Sequence, residues 1–161
     1  MNLRKLLVVA VGIAAVGCAP KKIPGTDIND NDDTRAILDL IESYRRAFEK
    51  KDAQTIVALL DEGFREDGGS STPDDDIEFK NAGPKLATIF NTAEDIRLEM
   101  SVRKIEFDDK MVKARAVYTW NSTFKLPSLT NRPQSESEIK QMTFRRPDNR
   151  KKTAWRITSG I

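Results

Sequence analysis

The hydrophobic pattern of this chain of 161 residues changes its period once, near Asp95. From Thr34 to that point, apolar residues recur at the three- and four-residue spacing of a helix, and Ile37, Ile41 and Tyr44 begin the first stripe. After Asp95 the apolar residues alternate, as they do in strands with one buried face. Helices followed by a run of strands are typical of the α+β class. The pattern therefore predicts three helices packed on a bent antiparallel sheet of about four strands.

The first two predicted helices form an angled pair. The first begins with Asp33 or Thr34 as its N-cap, and its apolar stripe continues to Phe48. Asp52 is the predicted N-cap of the second, shorter helix. Gly63 is expected to end that helix, because glycine often follows a helix C-terminus.

A surface loop is expected at residues 66–76, which are too polar and too rich in turn residues for a core element. Ile77 and Phe79 favour a short edge strand after it. The third helix is predicted to start at Gly83 and Pro84, because proline is well tolerated in the first helical turn.

The second half of the chain predicts the sheet. The first strand reverses its alternation near Arg103 and Lys104, which indicates a bulge that bends the sheet. The second strand places Ala114 and Ala116 in the middle of its apolar face. The remaining elements are expected to be a loop at 127–136, a third strand at 138–146 and a fourth strand at 153–160.

The N-terminal segment has the architecture of an export signal. Two basic residues precede an uninterrupted apolar run, Leu6 to Val16, which is about half of the roughly 20 residues that a membrane-spanning helix needs. The run ends in Ala15-Val16-Gly17-Cys18, which resembles the lipobox of bacterial lipoproteins, and the chain has no other cysteine. We therefore expect residues 1–17 to be a cleaved signal peptide and Cys18 to carry the lipid.

Residues 18–33 are expected to form the lipidated cysteine and a flexible tether, because they are polar, acid-rich and contain Pro20, Pro24 and Gly25. Residues 34–161 then form one domain. The lipid anchor predicts a location on the membrane of a bacterial cell envelope. Ala19 rather than an aspartate follows the cysteine, which in enterobacterial lipoproteins implies the periplasmic face of the outer membrane.

Charge and composition exclude several functional classes. Once the leader is removed, 25 basic and 25 acidic residues balance, so no nucleic-acid partner is expected. The chain has no histidine, the commonest metal ligand and the usual general base at neutral pH. A calcium loop beginning at Asp27 would have Asp32 in place of its glycine and Leu38 in place of its glutamate. We therefore expect no metal and no cofactor.

The charges are unevenly distributed along the chain. Residues 27–109 contain 22 acidic and 11 basic residues, whereas residues 110–161 contain 3 acidic and 12 basic residues. The two regions are expected to attract each other.

A family resemblance rests on three segments. They are the run Tyr44 to Asp52 that ends the first helix, the Ile56 to Leu60 helix, and the closing Trp155-Arg156-Ile157 strand. Over Thr34 to Ile161 the chain resembles the cone-shaped nuclear transport factor 2-like superfamily, which includes SnoaL-like and ketosteroid-isomerase-like proteins. The resemblance implies a cavity between the curled sheet and the first helix. The residues expected to line this cavity are Tyr44, Phe48, Tyr118, Trp120 and Met142.

Two functions are open to such a domain, because this fold hosts enzymes and catalytically empty proteins alike. The first is a binding or scaffolding module without catalysis, which takes an apolar small molecule or an envelope protein and dimerises through the open sheet face. The alternative is an isomerase- or cyclase-like enzyme, for which the resemblance implies Tyr44 as hydrogen-bond donor and Asp67 as general base. Gln141 or Met142 occupies the position of that family's buried protonated acid, which this chain therefore lacks.

A basic hairpin tip is the other candidate surface. It comprises Arg145, Arg146, Arg150, Lys151 and Lys152, and would suit anionic headgroups or an acidic partner. The alternative is a solvated turn whose charges discourage edge pairing and are neutralised by the acidic region.

Overall fold

The structure is a computed structural model, and it describes residues 21–68, 74–127, 130–146 and 155–161. The predicted signal peptide, the Cys18 lipidation site, part of the surface loop and three members of the basic tip (Arg150, Lys151 and Lys152) lie outside these ranges.

Three α-helices precede the main sheet, as the periodicity predicts. They are α1 (Asp32–Glu49), α2 (Ala53–Leu59) and α3 (Ala82–Thr92), and a 3-10 turn, Phe79–Asn81, leads into α3. The predicted cap of α1 is wrong, because the Asn31 side chain accepts the hydrogen bond from the Thr34 amide at 2.9 Å. The predicted Asp52 cap of α2 is confirmed. Among the described residues, the structure contains no helix that combines the length and the apolar character needed to cross a bilayer.

The strands form two antiparallel sheets. The small sheet pairs β1 (Arg65–Glu66) with β2 (Ile77–Glu78). The main sheet has the order β3-β4-β5-β6, with β3 at Glu94–Phe107, β4 at Lys113–Leu126, β5 at Thr130–Arg145 and β6 at Arg156–Ser159. This arrangement confirms the predicted α+β class, with three helices packed on a four-stranded antiparallel sheet.

The sheet bends around α1. The β3–β4 register shifts between Val102 and Lys104, which confirms the predicted bulge. Tyr118 and Trp120 lie on the concave face of β4, and the buried stripe of α1 packs in the same core. Buried members of this core include Ile37, Ile41, Tyr44, Leu98, Ala116, Tyr118, Met142 and Phe144.

The predicted loop at 127–136 is wrong for most of its length, because β5 already begins at Thr130. Ser135 pairs with Thr123, and Gln134 pairs with Phe124. This part of β5 is polar on both faces, so it lacks the apolar alternation that would have indicated a strand. At the other end of the sheet, β6 is shorter than the predicted strand at 153–160.

Residues 21–31, predicted as part of a flexible tether, fold against the domain. Lys22 and Asn29 form an antiparallel bridge, and the Ile23 amide donates to the Ile28 carbonyl at 2.8 Å. The Ile28 side chain is only 5% exposed, and it shares a surface depression with Ile41 of α1. Two isoleucines among polar residues, Ile23 and Ile28, do not form a periodic pattern, which is why composition alone predicted a tether.

We expect Ile28→Ala to lower the free energy of unfolding by about 2 kcal/mol, because it removes a buried side chain and leaves a cavity. Urea denaturation measures this change. The matched control is Asp27→Ala, which alters an exposed neighbour and should stay within about 0.5 kcal/mol of the parent. Equal stability of the two variants would restore the tether interpretation.

Ion pairs join the acidic and basic regions, as the charge distribution predicts. Arg145 donates to Asp61 through Nε at 3.0 Å, and Arg146 pairs with Asp33. The two described members of the predicted basic tip are thus engaged within the molecule rather than presented to a partner. These two arginines pair with the acidic region because its carboxylates lie beside the end of β5.

Candidate functional site

A largely apolar cavity of about 150 Å³ lies between α3 and the concave face of β4. We call it the mouth pocket. Glu136 is the one titratable residue among the described residues that line it. The lining residues are Phe48, Ile89, Thr92, Ala93, Ile96, Trp120, Ser122, Phe124, Leu126 and Glu136.

The strand period and an aromatic cluster shape the mouth pocket. Alternate residues of β4 face inward, so Trp120, Ser122 and Phe124 follow one another along the same wall. Phe48 of α1 packs edge-on against Trp120, with ring centroids 5.3 Å apart, and against Phe90 of α3 at 5.2 Å. These edge-to-face contacts are the arrangement that aromatic pairs prefer, and they connect both helices to the sheet.

Two buried polar atoms on this wall lack hydrogen-bond partners among the described residues. They are Nε1 of Trp120 and Oγ of Ser122, and both side chains are about nine-tenths buried or more. Buried polar groups are nearly always hydrogen-bonded, and an unsatisfied one costs roughly 1–3 kcal/mol. The indole nitrogen can only donate, whereas the serine hydroxyl can donate or accept. Each of these atoms would therefore gain a partner if an acceptor reached it.

Charged side chains lie next to Trp120 and Ser122. The Lys140 ammonium lies 4.5 Å from the centroid of the Trp120 ring and 3.6 Å from the Glu138 carboxylate. Glu136 pairs with Ser122 across the β4–β5 ladder. One face of the indole thus meets a cation, and a carboxylate lies beside the pocket wall.

A second polar cluster lies deeper in the core and contains Tyr44, Tyr118 and Glu66. The Tyr118 hydroxyl donates to the Gly160 carbonyl at 2.8 Å, and the Glu66 carboxylate accepts from the Gly160 amide. The Tyr44 hydroxyl has no hydrogen-bond partner in the described part of the chain.

Burial raises the pKa of both hydroxyls in this cluster. For Tyr44, burial is the main cause, and Tyr118 and Glu66 raise its pKa further. For Tyr118, burial is again the main cause, and the Glu66 charge adds to it. Both phenols therefore remain protonated at neutral pH and can act only as hydrogen-bond donors or acceptors, not as bases.

The residues expected to line the cavity divide into two groups. Phe48 and Trp120 line the mouth pocket, whereas Tyr44, Tyr118 and Met142 are fully buried in the core behind it. The division arises because large side chains fill the narrow part of the cone.

The structure does not bring Asp67 and Tyr44 together. Asp67 is exposed, and Glu66 is the acidic residue whose charge acts on the Tyr44 hydroxyl. Successive residues of a strand point to opposite faces, so a difference of one position decides which carboxylate points inward.

Sequence analysis missed Ser122 and Glu136. Ser122 continues the inward-facing series of β4, so a polar residue in that apolar alternation was a usable signal. Glu136 had no such signal, because it falls in the segment that we predicted as a loop.

A larger depression of about 580 Å³ lies toward the other end of the sheet. Of its charged lining residues, Arg115 pairs with Glu106, and Arg145 pairs with Asp61 outside the depression. Within the described ranges, none of the unpartnered buried polar atoms belongs to its lining. No three or more acidic or cysteine side chains of the described segments are placed to hold a metal ion.

No family model and no curated protein sequence matches this chain. Solved structures do resemble it. A ketosteroid isomerase-like protein from Erwinia carotovora atroseptica aligns with a TM-score of 0.63 at 13% identity, over 82% of this chain and 98% of that one. A hexachlorocyclohexane dehydrochlorinase, LinA-type3, from Novosphingobium barchaimii aligns with a TM-score of 0.65 at 12% identity, over 79% and 82%.

A third similar structure is described by the name of its fold family. It is a candidate dehydratase of the NTF2-like family from Streptomyces avermitilis, with a TM-score of 0.61 at 17% identity, over 80% of this chain and 93% of that one. Identities this low establish architecture and not activity. The chain therefore has the nuclear transport factor 2-like cone fold.

Proposed function

We propose that this protein is a lipid-anchored protein of the bacterial cell envelope whose mouth pocket binds a small, largely apolar molecule that carries a hydrogen-bond acceptor. One observation carries the binding proposal: the apolar cavity is lined by Trp120 and Ser122, whose buried Nε1 and Oγ have no partner among the described residues. An acceptor that enters the cavity would relieve the cost of leaving them unsatisfied.

The size of the cavity limits the ligand. An apolar cavity of ~150 Å³ in another protein binds benzene, so the mouth pocket suits a molecule with about one ring. Such a ligand would pack against Phe48 and Trp120, with its acceptor toward Ser122.

We expect acetophenone, a benzene ring with a carbonyl acceptor, to bind more tightly than ethylbenzene, which has a similar shape and no acceptor. Ser122→Ala should weaken acetophenone binding about fivefold to tenfold, the equivalent of one hydrogen bond, and leave ethylbenzene binding unchanged. Titration calorimetry measures both affinities. Ile89→Trp is the matched blocking variant, because it fills the pocket from a partly exposed position and should abolish both. Equal affinities for the two probes, unaffected by Ser122→Ala, would contradict the proposal.

The anchor is supported by the apolar run Leu6 to Val16 and by the single cysteine directly after the small Gly17. Mass spectrometry of the mature N-terminal peptide tests it. A diacylglyceryl group on Cys18 is expected, and an unmodified N-terminus beyond residue 18 would exclude it.

A second candidate function is an isomerase- or lyase-type enzyme that uses the same pocket. Two of the similar structures are described as a dehydratase and a dehydrochlorinase, whose names denote eliminations, and such reactions need a group that removes a proton. In this chain the carboxylate beside the mouth pocket is Glu136, and Trp120 and Ser122 are the donors able to stabilise a developing oxyanion. Tyr44 and Asp67 lie away from this pocket, so the geometry does not favour them for these roles.

Glu136→Gln separates the two candidates, because it keeps the shape of the side chain and removes the base. If the protein is an enzyme, we expect exchange of the methyl protons of acetophenone with deuterium in the parent, detected by NMR. Glu136→Gln should then slow the exchange at least ~100-fold, the usual contribution of a general base, while binding remains. If the methyl protons exchange at the uncatalysed rate in the presence of the parent protein, the enzyme candidate is excluded and only the binding function remains.

A further inference from the structure

The N-terminal hairpin, residues 21–30, is fixed to the domain at its first residue. The Asp30 amide donates to the Lys21 carbonyl at 2.7 Å, and the Lys21 ammonium lies 3.2 Å from the Asp30 carboxylate. Arg35, in the first turn of α1, donates to the same carboxylate through Nη2 at 2.8 Å. Lys21 is therefore held beside the N-terminal end of α1.

The link between this fixed point and the predicted lipidation site is short. Ala19 and Pro20 are the only residues between Cys18 and Lys21. A fully extended chain spans at most ~11 Å over these three residue steps. A tether that continued to Asp33 would reach about five times as far.

This length limits how far the domain can stand from a membrane. A diacylglyceryl group on Cys18 would place that residue at the boundary between acyl chains and headgroups, and the headgroup layer is about 5–8 Å thick. Lys21 would therefore lie no more than ~3–6 Å beyond the headgroups. The charged outer surface of the domain does not enter hydrocarbon, because burial of unpaired charges is costly. The surface around Lys21 must then face the bilayer.

We propose that the N-terminal hairpin and the first turn of α1, which we call the anchor surface, lie on the phospholipid headgroups, an inference that rests on the lipid anchor of the proposed function. The partner of this surface is the bilayer, rather than a second copy of the chain or a soluble protein.

The same orientation turns the mouth pocket away from the membrane. Phe48, which lines the mouth pocket, lies in the last turn of α1, a helix of 18 residues. A helix rises 1.5 Å per residue, so Phe48 is ~24 Å along the helix from Asp32. The ligand of the mouth pocket would therefore enter from the aqueous compartment and not from the bilayer.

The charges of the anchor surface indicate that the lipid, and not electrostatic attraction, provides the membrane affinity. Residues 21–35 contain three basic and four acidic side chains, and one of the acidic residues, Asp33, pairs with Arg146. The remaining charges balance, so they give this surface no net attraction to anionic headgroups. The two acyl chains of the diacylglyceryl group supply the binding, and the short link supplies the orientation.

Fluorescence quenching tests the orientation, with the full-length lipidated protein in phosphatidylcholine vesicles. Asp32→Cys and Lys50→Cys each place a fluorophore at one end of α1, and both positions are exposed. The Cys18 sulfur carries the lipid and does not react with the label. A nitroxide on the lipid headgroup quenches only at close range, so we expect strong quenching at Asp32→Cys and little at Lys50→Cys. Equal quenching at the two positions, or stronger quenching at Lys50→Cys, would overturn the proposal.

A lengthened link is the matched control. Insertion of about 12 glycine and serine residues between Pro20 and Lys21 gives a flexible link with a root-mean-square span of ~20 Å. Quenching at Asp32→Cys should then fall to the level seen at Lys50→Cys, and circular dichroism confirms that the domain is still folded. If the insertion leaves the quenching unchanged, the link is already long in the parent and the proposed orientation is wrong.

Flotation of the parent protein with the vesicles separates the orientation from the anchor itself. A parent that does not float has no anchor, which contradicts the proposed location and the orientation together. A parent that floats with equal quenching at both ends of α1 contradicts only the orientation. Flotation without quenching at either end would mean that another protein or a second copy covers the anchor surface, and it would also overturn the proposal.

Discussion

Tyr44→Ala is expected to lower the free energy of unfolding by about 3–5 kcal/mol, whereas Tyr44→Phe should leave it unchanged or raise it slightly. The Tyr44 side chain is 0% exposed, and its ring packs 5.8 Å from that of Phe48 at the centre of the core. Alanine would leave a large cavity there. Phenylalanine removes only a hydroxyl that has no partner among the described residues, and such a hydroxyl is a cost to the folded state.

Tyr118→Phe is the matched control, because the Tyr118 hydroxyl does have a partner, the Gly160 carbonyl at 2.8 Å. Its loss should cost about 1 kcal/mol. Urea denaturation of the three variants gives the comparison. If Tyr44→Phe lowered the free energy of unfolding more than Tyr118→Phe does, the Tyr44 hydroxyl would have a hydrogen-bond partner in solution, either water or a ligand. The core cluster would then again be a candidate functional site.

Asp33→Ala is expected to lower the free energy of unfolding by about 3 kcal/mol. Asp33 pairs with Arg146 and accepts from Trp155 Nε1 at 3.2 Å. Arg146 is largely buried, with its guanidinium 4.5 Å from the centroid of the Trp155 ring. Removal of the carboxylate would therefore leave a buried cation without this counter-ion and a buried indole without this acceptor.

Asp32→Ala is the control for this prediction. Asp32 is the preceding residue in the same first turn of α1, and it is exposed. The two variants remove the same charge from the same helix end, so their difference isolates the buried contacts of Asp33. Equal destabilisation of the two would show that the effect comes from the helix N-terminus alone.

Local patterns were sufficient for the elements whose residues repeat regularly. The stripe of Ile37, Ile41 and Tyr44 predicted α1 because one face of a helix meets the core every three or four residues. The change of alternation near Arg103 predicted the bulge because an extra residue moves later side chains to the other face. Asp52 predicted the start of α2 because its carboxylate can bond a free amide of the first turn.

The same patterns did not predict the segments whose structure depends on tertiary contacts rather than on periodic residues. The first half of β5 is a strand because β4 supplies backbone partners, although its own side chains are polar. Residues 21–31 fold because Ile28 finds a hydrophobic surface that a distant part of the chain provides. Neither effect leaves a repeat in the sequence, since each depends on residues far away along the chain.

The sequence by itself determined the class of the fold, the number of helices, the bend in the sheet and the expectation of an anchored N-terminus, because these depend on local periodicity and composition. Only the tertiary structure decided the candidate site. Whether Glu66 or Asp67 faces the core depends on how β1 pairs with β2, and whether Ser122 borders a cavity depends on the packing of α3 against β4. Such questions turn on one residue of register or a few ångströms of packing, and a one-dimensional pattern does not contain that information.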